Sequence, residues 1–74
     1  MTAILRLGDS LKAMLGKESE YTVEPGRSVR ETIIALGIKP ELVAMVSVDG
    51  EMQMKDYIIR DGDAIRILAV IGGG

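Results

Sequence analysis

The stretch Asp61-Gly62-Asp63-Ala64-Ile65-Arg66-Ile67-Leu68-Ala69-Val70-Ile71, followed by Gly72-Gly73-Gly74, decides how this chain folds. Asp61-Gly62-Asp63 is turn chemistry, and Ala64–Ile71 behind it is the most strand-like run in the sequence. Ile65, Ile67 and Ile71 fall on one face of that strand, with Arg66, Leu68 and Val70 on the other. The reading makes it the central strand of a sheet, parallel to the first strand of the chain.

Upstream, Val43–Val48 is rich in strand formers, and Asp49-Gly50 is a favoured tight-turn pair that returns the chain as a short edge strand over Glu51–Met54. Before it, Ser28 and Glu31 have the spacing of a capping box, and Val29, Ile33 and Leu36 then share a helical face. Gly37 is placed to end that helix in the left-handed region, and Pro40 prevents its continuation. Tyr21 and Val23 alternate with Thr22 and Glu24 as a strand closed by Pro25-Gly26. At the start, Thr2–Leu7 reads as a strand with Ala3, Leu5 and Leu7 on one face. Leu11, Met14 and Leu15 in Ser10–Gly16 suggest a turn or two of helix, started by Asp9 or Ser10 and stopped by Gly16.

Strand, short helix, strand, helix, strand, short strand, strand makes an α+β domain: a mixed four- or five-stranded sheet with one main helix packed on it. The main helix serves as the crossover that a parallel pair of first and last strands needs. This is the β-grasp architecture. The reading assigns residues 1–71 to the domain and 72–74 to a flexible glycine arm. It expects Val29, Ile33, Leu36, Leu5, Val23, Val46, Val48, Ile65 and Ile67 to be buried.

Composition narrows the function. The chain has 74 residues, no Cys, no His, no Phe and no Trp. Without Cys there is no disulfide framework, thiolate nucleophile or cysteine-ligated metal, and without His the commonest general base is missing. These losses argue against a self-contained enzyme and against a metal site. Nine basic and eleven acidic residues give a net charge of −2, with no basic run and only Tyr21 and Tyr57 as aromatics. Nucleic acid is therefore an unfavoured partner. No apolar stretch reaches membrane-span length and the N-terminus lacks a signal-peptide pattern, so the expectation is a soluble cytoplasmic protein without a membrane partner.

Three glycines directly after the strongest strand do not stabilise a chain end, since glycine loses the most conformational entropy on ordering. They suit a slender arm that carries a terminal carboxylate into a narrow active site elsewhere. Val46-Ser47-Val48-Asp49-Gly50-Glu51, then Ile59-Arg60-Asp61-Gly62-Asp63-Ala64-Ile65-Arg66-Ile67, ending in Gly73-Gly74, resembles the ThiS/MoaD family of ubiquitin-like bacterial sulfur carriers. Pro25-Gly26-Arg27-Ser28-Val29 is similar to that family's entry to the helix.

The resemblance implies a carrier, not an enzyme, with no cofactor bound. A separate adenylating enzyme, related to those that activate ubiquitin, would use ATP and magnesium to adenylate Gly74. A persulfide sulfur donor would convert it to a thiocarboxylate, and a sulfur-accepting synthase subunit would receive the sulfur. Because the sequence ends at Gly74, no processing protease is expected. Gly72, Gly73, Leu68, Val70 and Met45 are the expected partner-binding residues, the last three as an apolar group on the open face of the sheet near the arm.

Asp49 stands where the family often has Asn, and Gly72 adds a third glycine. Leu68–Ile71 replaces the Phe and Pro-Pro of the molybdopterin branch, which points to the thiazole branch. The Ser10–Gly16 helical turn points to molybdopterin, and the balance favours molybdopterin biosynthesis over thiamine thiazole. A ubiquitin-like protein modifier and a non-catalytic β-grasp binding module remain the rival readings. Met45, Met52 and Met54 read equally as gap-fillers in a core without Phe or as a soft partner surface. Asp56, Asp61 and Asp63 lack calcium-loop spacing and read as turn residues. Arg66 reads as a solvated face residue in preference to one that steers an acidic partner.

Overall fold

A computed structural model describes residues 1–16 and 18–69. Val70, Ile71 and the proposed arm Gly72–Gly74 lie outside the described residues. The elements are β1 (Ala3–Leu7), α1 (Asp9–Leu15), β2 (Glu20–Val23), α2 (Val29–Ala35), a 3-10 turn (Pro40–Leu42), β3 (Val43–Val48), β4 (Glu51–Gln53) and β5 (Ala64–Ala69). One five-stranded sheet runs in the order β2-β1-β5-β3-β4. β5 is central, parallel to β1 and antiparallel to β3, as the sequence reading expects of the last strand. The fold is an α+β β-grasp.

The start of α2 shows why this helix is so legible. Ser28 Oγ accepts from the Glu31 amide at 3.0 Å, and Glu31 Oε1 accepts from the Ser28 amide at 3.0 Å. These bonds hold the Glu31 carboxyl below the usual glutamate range. The other first-turn amides are also used: Val29 N–H donates to Tyr57 O, Arg30 N–H to Lys55 O and Thr32 N–H to Ser28 O. The loop after β4 thus caps the helix from outside and ties both halves of the chain together.

The far end of α2 corrects one expectation. Leu36 is half-buried, not buried. Gly37 turns with φ 83°, and Ile38 N–H bonds back to Ile33 O at 2.9 Å. In this Schellman arrangement the residue after the glycine folds inward. Ile38, only 2% exposed, takes the core place that helical periodicity assigns to Leu36.

The core lies between the sheet and its helices and consists of Leu, Ile, Val and Ala alone. Leu7 and Ile67 pair across β1 and β5, and Ile67 pairs with Val46 across β5 and β3, so one row of buried side chains crosses three strands on the core face. Leu11 of α1 reaches the same core and is fully buried. Neither Asp9 nor Ser10 caps α1. Gly8, which has no side chain to cap with, holds the cap position, and its amide donates to Ile67 O of β5 at 2.9 Å. Pairing to the sheet, rather than capping chemistry, places that helix.

Candidate functional site

The sheet face away from the core is set by alternation. With Ile65, Ile67 and Ala69 buried, Ala64, Arg66 and Leu68 face the open side. The register then builds rows across the strands. Glu20, Arg6, Arg66, Ser47 and Met52 form one row through all five strands in sheet order. Leu68 and Met45 form the next row, toward the end of β5 that leads to Gly74. Two expected site residues, Leu68 and Met45, are therefore neighbours on the open face. Val70, Gly72, Gly73 and Gly74 lie outside the described residues.

Leu68 is half-buried because Gly8 lies against it. A Cβ added at Gly8 would stand 2.6 Å from Leu68 Cδ2 and 3.4 Å from Ile67 O. The first turn of α1 thus covers one flank of Leu68 and leaves the other open, beside Met45. Sequence reasoning missed Gly8, and a glycine between a strand and a helix was the signal available.

The methionines resolve an open alternative. All five are exposed, among them Met45 at 41% and Met52 at 69%. None fills the core, so the gap-filling reading is excluded. Met45 and Met52 lie on the open face, and Met54 follows the end of β4.

The turns that frame the face are locked by carboxylates. Asp49 and Gly50 adopt φ 52° and 86°, the left-handed pair of a type I′ hairpin turn. Asp49 Oδ1 accepts from Ala64 N–H at 3.2 Å, and the Asp49 amide donates to Ala64 O at 2.9 Å, which joins that turn to the start of β5. Asp63 Oδ2 accepts from Arg60 N–H and from the Tyr57 hydroxyl, both at 2.8 Å. The bond to Asp63 raises the Tyr57 pKa, since it favours the protonated phenol. Asp63 is thus a turn-building residue. Among the described residues no three His, Cys, Asp or Glu side chains converge to hold a metal ion.

Arg6 Nε pairs with Glu20 Oε1 at 3.0 Å. Arg66, facing Arg6 in the register, has no carboxylate within 4.0 Å among the described residues. Both arginines line an open groove of about 440 Å³ with Ser47 and Ile4. Guanidiniums, a hydroxyl and thioethers on a flat sheet face are groups suited to protein recognition. No helix among the described residues is long and apolar enough to cross a membrane.

The ThiS family model matches residues 5–74. Among solved structures, the chain is similar to the solution structure of the HVO 2177 protein of Haloferax volcanii. The two share 20% sequence identity with a TM-score of 0.70, over 100% of this chain and 87% of that one. At that identity the likeness concerns the fold alone.

Proposed function

The chain belongs to the ThiS family, a family of sulfur carriers, and from that premise we propose that Gly74 is its working residue. The observation that carries the reading is the family match, which runs from the first strand through the terminal glycines. In the proposed cycle a separate adenylating enzyme uses ATP and magnesium to convert the Gly74 carboxylate to an acyl adenylate, releasing pyrophosphate. A persulfide sulfur attacks the carbonyl carbon and AMP leaves. A second thiol then cleaves the sulfur–sulfur bond, and the carrier departs as a thiocarboxylate. This chain contributes the acyl group and the docking surface, and the catalytic groups belong to its partners.

The geometry supports that division. β5 is central in the sheet and its described part ends at Ala69. The five residues from Val70 to Gly74 reach at most roughly 18 Å. A partner whose active site receives Gly74 therefore lies against the end of β5, where Leu68 and Met45 are presented. We assign those two residues, with Val70, Gly72 and Gly73, to partner contact. The proposed use of ATP supports a cytoplasmic setting for the cycle. The α1 helix between β1 and β2 supports a molybdopterin-type acceptor over a thiazole synthase.

Mass spectrometry after incubation with the adenylating enzyme, ATP and a persulfide donor tests the reading. A sulfur-for-oxygen exchange at Gly74 is expected. An isopeptide-linked adduct would identify a protein modifier, and an unmodified terminus a binding module. Deleting Gly74 should abolish the exchange, and transfer to each purified acceptor decides the pathway.

A further inference from the structure

We propose that Arg66 is a docking cation, held unneutralised in the free protein, for a carboxylate on the adenylating enzyme. The inference rests on the carrier reading above and names the chemistry of its partner.

Arg6 and Arg66 are direct register partners on parallel strands, roughly 4.8 Å apart in the pairing direction. Like charges placed directly opposite destabilise a sheet. Glu20 flanks Arg6 on the outer side and pairs with it at 3.0 Å, which leaves one carboxylate for two guanidiniums. Of the other acids nearby, Asp49 lines the same groove but is engaged by the Ala64 amide, and Asp9 shares a neighbouring depression with Arg66 without an ion pair within 4.0 Å. Among the described residues nothing neutralises Arg66. The open face accepts an arginine at this exposed position, as the solvated reading of Arg66 has it, and what sets Arg66 apart is its direct opposition to a second arginine. A local conflict of this kind in an otherwise consistent fold marks a functional position.

A carboxylate arriving from outside resolves the conflict, because it gives each of the two arginines a carboxylate of its own. Ser47 lies opposite Arg66, Leu68 and Met45 form the adjacent row and Met52 stands beyond Ser47, so largely apolar groups lie near Arg66 to exclude water when a second surface closes over them. The ion pair is then formed in a drier setting, where it is stronger than on a free surface. The chain as a whole is acidic, with net charge −2, so an acidic partner is attracted at this row and repelled elsewhere. That contrast fixes the docking register as well as the affinity. The proposal commits to a protein carboxylate, and a phosphate, which guanidiniums also bind, is the outcome that titration with ATP separates from it.

The test compares the parent with Arg66→Gln and Arg66→Lys. Binding to the adenylating enzyme is measured by calorimetry at low and high salt, thermal midpoints are recorded at low salt, and ATP is titrated into the free protein. Arg66→Gln should weaken binding about tenfold or more, as the loss of an interface arginine anchor does. Its salt dependence should flatten and its midpoint should equal or exceed that of the parent. Arg66→Lys should recover part of the affinity. Binding of Arg66→Gln within about twofold of the parent overturns the proposal, as does a midpoint that falls along with affinity. ATP binding to the free protein that depends on Arg66 overturns it in favour of a nucleotide site. A parent that is never adenylated counts against the carrier reading itself, whereas a parent adenylated as well as Arg66→Gln counts against the docking role alone.

Discussion

Gly8 and Leu68 touch across the junction of β1, α1 and β5, so closely that a single methyl group on Gly8 would stand 2.6 Å from Leu68 Cδ2. The obstacle is the end of a flexible side chain, and the Gly8 backbone has an ordinary φ of −65°. Gly8→Ala should therefore fold, with Leu68 driven to another rotamer at a cost of about 1 kcal/mol. Methyl NMR should show a large shift confined to Leu68 and its neighbours, including Met45. An unmoved Leu68 signal would mean that the junction yields elsewhere.

The α2 cap couples stability to acid. The Glu31 pKa is depressed in the folded state by its bonds to Ser28, so its contribution is present above the unfolded value, about 4.3. It is lost as pH falls through the lower folded value. Ser28→Ala should cost on the order of 1 kcal/mol at neutral pH. The gap between parent and variant should narrow on acidification below pH ~4. Denaturant melts across that range check it, and a gap independent of pH would separate the serine from the carboxylate.

Asp63 and Asp61 flank the same glycine with opposite consequences. Asp63 is buried and holds both Arg60 N–H and the Tyr57 hydroxyl, whereas Asp61 is exposed. Asp63→Ala should cost about 2 kcal/mol through two donors left without their acceptor. Asp61→Ala should change stability by less than about 0.5 kcal/mol. Equal losses in urea denaturation would show that the turn, not the carboxylate bonds, carries the energy.

Oxidation separates surface from core. Mild peroxide treatment should convert all five methionines to sulfoxides, since all are exposed. The thermal midpoint should move by less than about 4 °C, the shift that a 1 kcal/mol change produces in a domain this small. Affinity for the adenylating enzyme should fall, because sulfoxides at Met45 and Met52 make the open face polar. Replacing both residues with Leu should remove that sensitivity.

The two faces of β5 were legible before any coordinates because alternation alone separates Ile65 and Ile67 from Arg66 and Leu68. The α2 helix was legible because Ser28, Glu31 and Gly37 are local signals. The row of Arg6 against Arg66 was not. A slip of two residues between β1 and β5 keeps every side chain on its face and would set Arg6 opposite Ala64 or Leu68. Only the three-dimensional fit of the crossover selects the observed register. For the same reason Leu36 was expected in the core, since helical periodicity cannot say that the chain after Gly37 returns Ile38 to that place. The arm Gly72–Gly74 was read from composition and family likeness, and lies outside the described residues.

The pairing of Ile4 with Ala64 also governs how the domain assembles. The sheet has two pieces built early in the chain, β1 with β2 and β3 with β4, and neither touches the other until β5 is inserted between them. A two-stranded piece is at best marginally stable in water, so a stable sheet waits for the long-range contact that β5 makes with β1. Proteolytic loss of β5 would dissolve the whole domain, not just trim it. A partner that grips Arg66, Leu68 and Met45 thereby recognises only chains in which the last strand is already home, and a fragment or an unfinished chain never offers it that surface.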